Sequence, residues 1–349
     1  MKIICITLAV AAILAIAFFI LKYHILMNLA LNARSRNLLS SGVILTSAKI
    51  FQFLPVTCRV SGRHATGRKE NLTAREYSEE IPAREQEIRR QIQEDGEWME
   101  ALSREDIEIL SQDRLRLAGH YIHAQGRARR LVVLFHGWRG SWTGDFGSIG
   151  RWLWGIGCDL LLVEQRAQGT SEGKYMGFGV LERRDVARWL QYLEQERHNS
   201  LPVYLGGVSM GAATVLMAAG DTMPDFVKGV LADCGFTSPY EMLYEVGRNS
   251  LRMREHPAMD YVNLIIRLHA HFGIREYSTL ESMKKTKLPI FFVHGLEDDF
   301  VPCHMTRQAY EACVSRKELL LVEGAGHVRS FFYDNENYRR RVEHFFGWQ

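Results

Sequence analysis

The chain has 349 residues, of which 47% are hydrophobic and 24% are charged, and this indicates an ordinary globular protein with a sizeable core. The formal net charge of +3 is too small for an extended nucleic-acid-binding surface, so no nucleic-acid partner is predicted. Five of the six cysteines lie beyond the N-terminal apolar run, and none forms a C-x-x-C pair. This pattern argues against a disulfide framework and gives no support for a metal site.

Residues 1–24 are predicted to be a single-pass transmembrane anchor. Residues 3–21 are apolar apart from Thr7, and a helix of that length spans roughly 28 Å, enough for most bilayer cores. A cleaved signal peptide is the alternative, because residues 15–17 (Ala-Ile-Ala) resemble a cleavage site. Residues 18–21 nevertheless continue the apolar run, which favours an uncleaved anchor and a membrane localisation. The flanking charges do not decide which side of the membrane carries the rest of the chain.

Residues 25–97 are predicted to form a tether and an exposed helical segment. The stretch becomes polar and charged after residue 61, with Ile81, Ile88 and Ile92 as sparse apolar points. A helix beginning at Pro82 with one thin buried stripe fits this spacing.

From residue 98 to 349, strand and helix patterns alternate. After a hairpin predicted within residues 106–122, further apolar strands are predicted at 131–135, 160–163, 203–208, 227–232, 289–293 and 319–322. Continuous apolar strands separated by helical segments indicate a mostly parallel sheet covered by helices on both faces, an α/β architecture. Residues 235–287 are too long for a simple crossover, and we predict that they form a helical cap over the carboxyl edge of the sheet.

One turn in this pattern is typical of a nucleophile. Gly207-x-Ser209-x-Gly211 joins an apolar strand to a helix rich in Ala, Leu and Met. Glycines on either side remove Cβ atoms that would clash in so sharp a turn, and the serine hydroxyl then stands above the sheet. The motif predicts Ser209 as a nucleophile and the Met210 N–H, at the start of the helix, as an oxyanion donor.

A second strand-exit turn, residues 136–140 (His-Gly-Trp-Arg-Gly), lies at the same predicted edge. Its glycines let the chain bend so that the Trp138 N–H can face the same oxyanion as the Met210 N–H. We expect His136 in this turn, and His294 in a later one, to stabilise their turns by hydrogen bonding.

An acid and a histidine follow at two further strand ends. Three acids stand in a row at Glu297, Asp298 and Asp299, and Asp233 at the end of an earlier strand is a rival. His327 follows Gly324-Ala325-Gly326 after the last strand. The order serine, acid, histidine, each at a strand end, is that of the α/β-hydrolase fold.

From about residue 98 to the end, the chain resembles the α/β-hydrolase superfamily, and specifically its serine aminopeptidase-like and uncharacterised hydrolases. Besides the elbow, residues 164–173 resemble that family's D-x-R-G-x-G-x-S-x-G loop, with departures at Glu164 and Ala167. The match of residues 294–302 to the family's acid loop implies Asp298 as the acid, and Gly326-His327 matches the histidine loop.

The resemblance implies a serine hydrolase that cleaves an ester or amide of a small or lipid-like molecule through an acyl-enzyme and needs no cofactor. A carboxylesterase or lipase-like activity is favoured, and a peptidase, an aminopeptidase or an acyltransferase is the alternative. A non-catalytic binding protein on the same fold is a hypothesis of a different class.

Overall fold

The apolar strands of the sequence pair into one sheet in the computed structural model, which describes residues 82–251 and 255–348. The strands within these ranges are β1 (Glu105–Leu110), β2 (Arg116–Ile122), β3 (Arg130–Phe135), β4 (Cys158–Val163), β5 (Val203–Val208), β6 (Val227–Asp233), β7 (Ile290–Gly295) and β8 (Lys317–Val322). Their order in the sheet is β1-β2-β4-β3-β5-β6-β7-β8.

The helices alternate with these strands. They are α1 (Ala83–Ala101), α2 (Trp142–Gly155), α3 (Glu182–Gln195), α4 (Met210–Ala218), α5 (Pro239–Leu251), α6 (Ala258–Ala270), α7 (Thr279–Met283), α8 (Cys303–Ala312), α9 (Ser330–Tyr333) and α10 (Asn335–Phe346). The predicted alternation is therefore present, and three of the helices, α5 to α7, lie in the stretch predicted as a cap.

The strand pairing is mostly parallel. β1 and β2 form the predicted antiparallel hairpin, and β2 is antiparallel to β4, whereas every pair from β4 to β8 is parallel. β3 lies between β4 and β5, so the strand order reverses there and the loops after β3 and β5 come together. Ligands of open α/β sheets bind at such a switch point, beyond the carboxyl ends of the strands.

Both faces of the sheet are buried, because successive side chains of a strand point to opposite faces. On β3, Leu131 and Val133 pack with Trp189 of α3 on one face. Val132 packs with Phe146 of α2 and with the α10 side chains on the other. This two-sided burial explains the continuous apolar strands, and the predicted α/β-hydrolase fold is confirmed.

The first described helix packs more closely than the exposed helix predicted from the sequence. α1 runs without a break to Ala101 and lies along α2, with Ile88 and Met99 buried. Glu85 at its N-terminal end forms an ion pair with Arg329, 3.1 Å away, just beyond the predicted catalytic histidine. The N-terminal end of α1 is therefore in contact with the loop that follows β8.

The membrane localisation predicted above requires a correction. Within residues 82–251 and 255–348, no helix is both long enough and apolar enough to cross a bilayer. The 19-residue α1 is the longest of them, and its charged residues, such as Arg89, Arg90 and Glu94, would be too costly to bury in hydrocarbon. The predicted anchor at residues 1–24 lies outside the described residues.

Candidate active site

Ser209 occupies a sharp turn between β5 and α4. Its φ of 53° and ψ of −116° are a strained conformation for a residue with a side chain. The turn is tight on both sides, since a Cβ at Gly207 would lie 2.3 Å from the backbone of Gly211, and one at Gly211 would lie 1.7 Å from the carbonyl oxygen of Phe135. Both glycines of the motif are therefore required for steric reasons, and Gly211 allows the turn to approach the end of β3 closely.

His327 faces Ser209 from the loop after β8. Its Nε2 lies 2.9 Å from Ser209 Oγ, so the hydroxyl can donate to the ring. Gly324, with a φ of 71°, lets the chain leave β8 in the left-handed region. The loop is tied to its neighbour after β7 by a hydrogen bond from the Glu297 N–H to the Ala325 carbonyl, 3.0 Å.

Asp298 completes the series. Its Oδ2 accepts from His327 Nδ1 at 2.7 Å, and its Oδ1 accepts the N–H groups of Phe300 and Val301 at 3.0 and 2.8 Å. Burial on its own would raise the pKa of this carboxyl, but the electrostatic influence of His327 and hydrogen bonds from His294 and His327 hold it well below its usual range. Asp298 is therefore a carboxylate, and it fixes the orientation of the His327 ring.

The three other candidate acids, Glu297, Asp299 and Asp233, occupy different positions. Glu297 and Asp299 are exposed on the same loop. Asp233 is buried behind the site and accepts from the Ser330 hydroxyl at 3.1 Å. Burial raises the pKa of Asp233 to about 6, against the smaller opposing influence of His294.

The two other turn histidines have structural partners. His136 Nδ1 lies 2.8 Å from the Gly137 carbonyl, and its Nε2 accepts the Gln165 N–H at 3.2 Å. His294 is wholly buried, with Nδ1 2.7 Å from Thr306 Oγ1 and Nε2 3.2 Å from Asp298 Oδ2. Both hold their turns, and His294 also braces the acid.

The loop after β3 carries Trp138, one of the two predicted oxyanion donors. Neighbouring backbone groups of this loop are bonded to side chains. Gly137 donates its N–H to Asp145 at 2.7 Å and Arg139 donates its N–H to Gln168 at 2.6 Å. Met210, the other predicted donor, is the first residue of α4, where backbone N–H groups have no partner within the helix.

Three side chains that hold this loop were not singled out from the sequence: Asp145, Gln165 and Gln168. Gln165 donates to the His136 carbonyl and accepts from the Thr214 hydroxyl of α4 at 3.0 Å, so it bridges the loop and the helix that carry the two predicted donors. In the sequence, each of the three is only a polar residue in or beside a motif loop. The sequence does not show that such a side chain is buried and bonded to the loop backbone.

Aromatic rings lie beside His327. Trp138 stacks on Phe300 with ring centroids 6.4 Å apart, and Phe300 meets His327 edge to face at 5.0 Å. Met242 and Met259, from the stretch predicted as a cap, pack in one cluster with Met210 of the elbow helix. Aromatic and methionine side chains therefore lie beside the Ser209–His327 pair.

One group of potential metal ligands occurs in the described part of the chain: Cys234, Asp298 and His327 offer atoms within 4.8 Å of one another. Two of them already bond each other, so an ion would have to displace that hydrogen bond. Burial raises the pKa of the Cys234 thiol well above its usual value, and this favours the uncharged thiol over a metal-binding thiolate.

Comparisons with known proteins bear on this site. Residues 126–260 match the family model described as "Serine aminopeptidase, S33". Among curated proteins, the uncharacterised protein YqkD of Bacillus subtilis is 28% identical over 190 residues, which cover 54% of this chain and 62% of that protein. The α/β-hydrolase domain-containing protein WAV2 of Arabidopsis thaliana is 21% identical over 222 residues, 61% of this chain and 67% of that one. The chain thus spans less than two thirds of YqkD.

Among solved structures, the esterase Pf2001 of Pyrococcus furiosus superposes with a TM-score of 0.56 and 23% identity, covering 70% of this chain and 92% of the esterase. At that identity the likeness concerns the fold. The sheet, the helices on both faces and this likeness show an α/β-hydrolase fold, and the family-model match lies within it.

Proposed function

We propose that this protein is a serine hydrolase that cleaves its substrate through an acyl-enzyme on Ser209. The observation that carries the proposal is the pair of hydrogen bonds of one imidazole, 2.9 Å from Nε2 to Ser209 Oγ and 2.7 Å from Nδ1 to Asp298 Oδ2. This geometry supports the roles that nucleophilic acyl transfer requires, with His327 as a base beside a hydroxyl nucleophile and Asp298 as a carboxylate behind the base.

In the proposed reaction, His327 Nε2 takes the Ser209 proton as Oγ bonds to the substrate carbonyl carbon. Asp298 stabilises the imidazolium, and the N–H groups of Trp138 and Met210 bind the oxyanion. The imidazolium then protonates the leaving alcohol or amine as its bond to the carbonyl carbon breaks. A water molecule, deprotonated by His327, attacks the acyl-enzyme, and the proton returns to Ser209 Oγ as the acid is released.

A carboxylic ester of a small molecule is the substrate class that we favour. Phe300 contacts the His327 ring and Trp138 stacks on Phe300, so aromatic side chains lie beside the proposed site, which suits an uncharged ester. An aminopeptidase needs a carboxylate for the substrate ammonium, and the described cap acids are engaged in other contacts, for example Glu245 with Arg248 and Asp260 with Arg275. We therefore favour an ester over an aminopeptidase substrate, although the matched family model is described as a serine aminopeptidase.

The test compares p-nitrophenyl esters of acetate to dodecanoate with aminoacyl p-nitroanilides, using purified wild-type protein and Ser209→Ala. We expect ester hydrolysis by the wild type, with little anilide cleavage and no turnover by the variant. Faster turnover of the anilides than of the esters would make the protein an aminopeptidase. A wild type that turns over neither substrate class, or an Ala variant as active as the wild type, would reject the proposal.

A further inference from the structure

A carboxylate stands directly behind the loop that carries Trp138. Asp145 lies in the first turn of α2, and its Oδ2 accepts the Gly137 N–H at 2.7 Å. The loop closes on itself through a 3.1 Å hydrogen bond from the Gly140 N–H to the Gly137 carbonyl, and Ser141 caps the helix by accepting the Gly144 N–H. Asp145 therefore joins the body of α2 to the loop at one backbone group.

The contact is tight and close to the nucleophile. A Cβ at Gly137 would lie 3.3 Å from Asp145 Oδ2 and 3.4 Å from Ser209 Cβ, so Gly137 is held between the carboxylate and the serine. A Cβ at Gly140 would lie 2.1 Å from the same oxygen. An additional carbon would therefore be tight at Gly137, and at Gly140 it would have no room unless the carboxylate moved.

The charge of Asp145 does not explain its position, because a negative charge near a developing oxyanion opposes the reaction. Burial raises the pKa of this carboxyl against the opposing influences of His136, the Gly137 N–H, His327 and Arg329. Whether charged or neutral, the carboxyl keeps an acceptor oxygen for the Gly137 N–H, so the property that matters is its ability to accept this hydrogen bond.

We propose that Asp145 is a positioning residue for the oxyanion donors: by accepting the Gly137 N–H, it holds the adjacent Trp138 N–H where the oxyanion forms. The inference rests on the proposed serine hydrolase function. The oxyanion exists only in the transition state and the intermediates, so a misplaced donor lowers kcat while KM is largely kept.

The first test measures kcat and KM of Asp145→Ala and Asp145→Asn on the best ester substrate. We expect Asp145→Ala to lose about 10- to 100-fold in kcat, less than is typical when a donor itself is removed, with KM changed by less than about threefold. Asp145→Asn keeps an acceptor oxygen and should retain about tenfold more kcat than Asp145→Ala. Asp95→Ala is the matched control, because it removes a buried carboxylate that bonds Ser148 and Arg151 of α2 and does not touch the loop.

The second test displaces the carboxylate without changing it. Gly140→Ala introduces the Cβ that would lie 2.1 Å from Asp145 Oδ2, so the carboxylate must leave Gly137. We expect a kcat loss similar to that of Asp145→Ala. In the Asp145→Ala background there is room for the new methyl group, so Gly140→Ala should there cost less than about threefold.

Three results would overturn the proposal: an unchanged kcat in Asp145→Ala, an equal loss in the Asn variant, or a full Gly140→Ala effect in the Asp145→Ala background. If Asp145→Ala does not fold, Gly140→Ala alone decides by whether kcat falls while KM is kept. If the wild type lacks esterase activity, the proposed function fails separately, and hydrogen exchange decides about Asp145. Faster exchange of the peptide containing Gly137 in the Ala variant than in the Asn variant supports the positioning contact, and equal exchange rejects it.

Discussion

The two sides of the site are built in different ways. The proposed proton-transfer side, formed by the turn after β5 and the loops after β7 and β8, consists of side chains that bond one another, Ser209 to His327 to Asp298. On the proposed oxyanion side, in the loops after β3 and β4, the backbone N–H groups on either side of Trp138 are held by the side chains of Asp145 and Gln168. The first side would perform its proposed chemistry with the residues of its motifs, whereas on the second the proposed donor Trp138 would depend on neighbouring side chains for its position. Variants on the two sides should therefore fail differently.

The largest effect is expected on the proton-transfer side. Asp298→Asn should lower kcat by about 10³- to 10⁴-fold, because the amide no longer stabilises the imidazolium or fixes its tautomer. Asp299→Asn and Asp233→Asn are the controls, and each should lose less than about tenfold. Steady-state kinetics on one ester checks all three, and a larger loss in either control than in Asp298→Asn would identify a different acid.

The sequence predicted the proton-transfer side better than the oxyanion side, because motifs identify side chains that react and do not identify side chains that hold backbone groups. Continuous apolar strands defined the sheet, and motifs at four strand ends named Ser209, His327 and the oxyanion loop. Asp298 was distinguished from the two acids beside it by its register in the family motif, not by its chemistry. Asp145 and Gln165 hydrogen-bond to backbone groups of the loop after β3, and no sequence motif identifies residues with that role. The packing of Met99 against α2 was also missed, because few apolar residues mark that helix.

The two sides meet at Gly211. A Cβ there would lie 1.7 Å from the Phe135 carbonyl, which belongs to backbone and cannot rotate away. Gly211→Ala should lower the free energy of unfolding by about 3 kcal/mol and separate the elbow from the oxyanion loop.

Gly155→Ala, at the end of α2, is the matched control, because no atom lies within 4 Å of its new Cβ. It should leave the stability unchanged or raise it by about 0.5–1 kcal/mol. Urea unfolding of both variants makes the comparison, and equal stabilities would contradict the steric account.

Asp233 and Asp298 differ in the direction of their pKa shifts, so they should affect the pH dependence of stability in opposite ways. The Asp233 pKa of about 6 in the folded protein lies above the ordinary value of 3.8, so the folded state binds the proton more tightly. The contribution of Asp233 to the free energy of unfolding should therefore fall as the pH rises from about 4 to 6, by about 2 kcal/mol. Asp233→Asn should remove this fall and be more stable than the wild type at pH 7.

The same experiment contains its own control. At pH 4 and below, the Asp233 carboxyl is largely neutral, and the wild type and Asp233→Asn should there have nearly equal stabilities. Urea unfolding between pH 4 and 8 measures both curves. Parallel curves across that range would show that the carboxyl does not titrate as a destabilising buried group.

The smallest effect concerns the loop after β4, on the oxyanion side. Ala167 has a φ of 62°, a conformation that costs a residue with a side chain about 1–2 kcal/mol and glycine little. Ala167→Gly relieves this strain while losing a buried methyl group, so the net change in unfolding free energy should be within about 0.5 kcal/mol of zero. Ala213→Gly in α4, with no strain to relieve, should cost about 1 kcal/mol more. Equal costs would exclude strain at Ala167.

The claim on which both sides depend is that Ser209 is the nucleophile. A fluorophosphonate captures such a serine covalently, and mass spectrometry of the digested protein identifies the modified residue. We expect one stoichiometric adduct on the peptide that contains Ser209, and none on the Ser209→Ala protein. An unmodified wild type, or an adduct that persists in Ser209→Ala, would contradict the account.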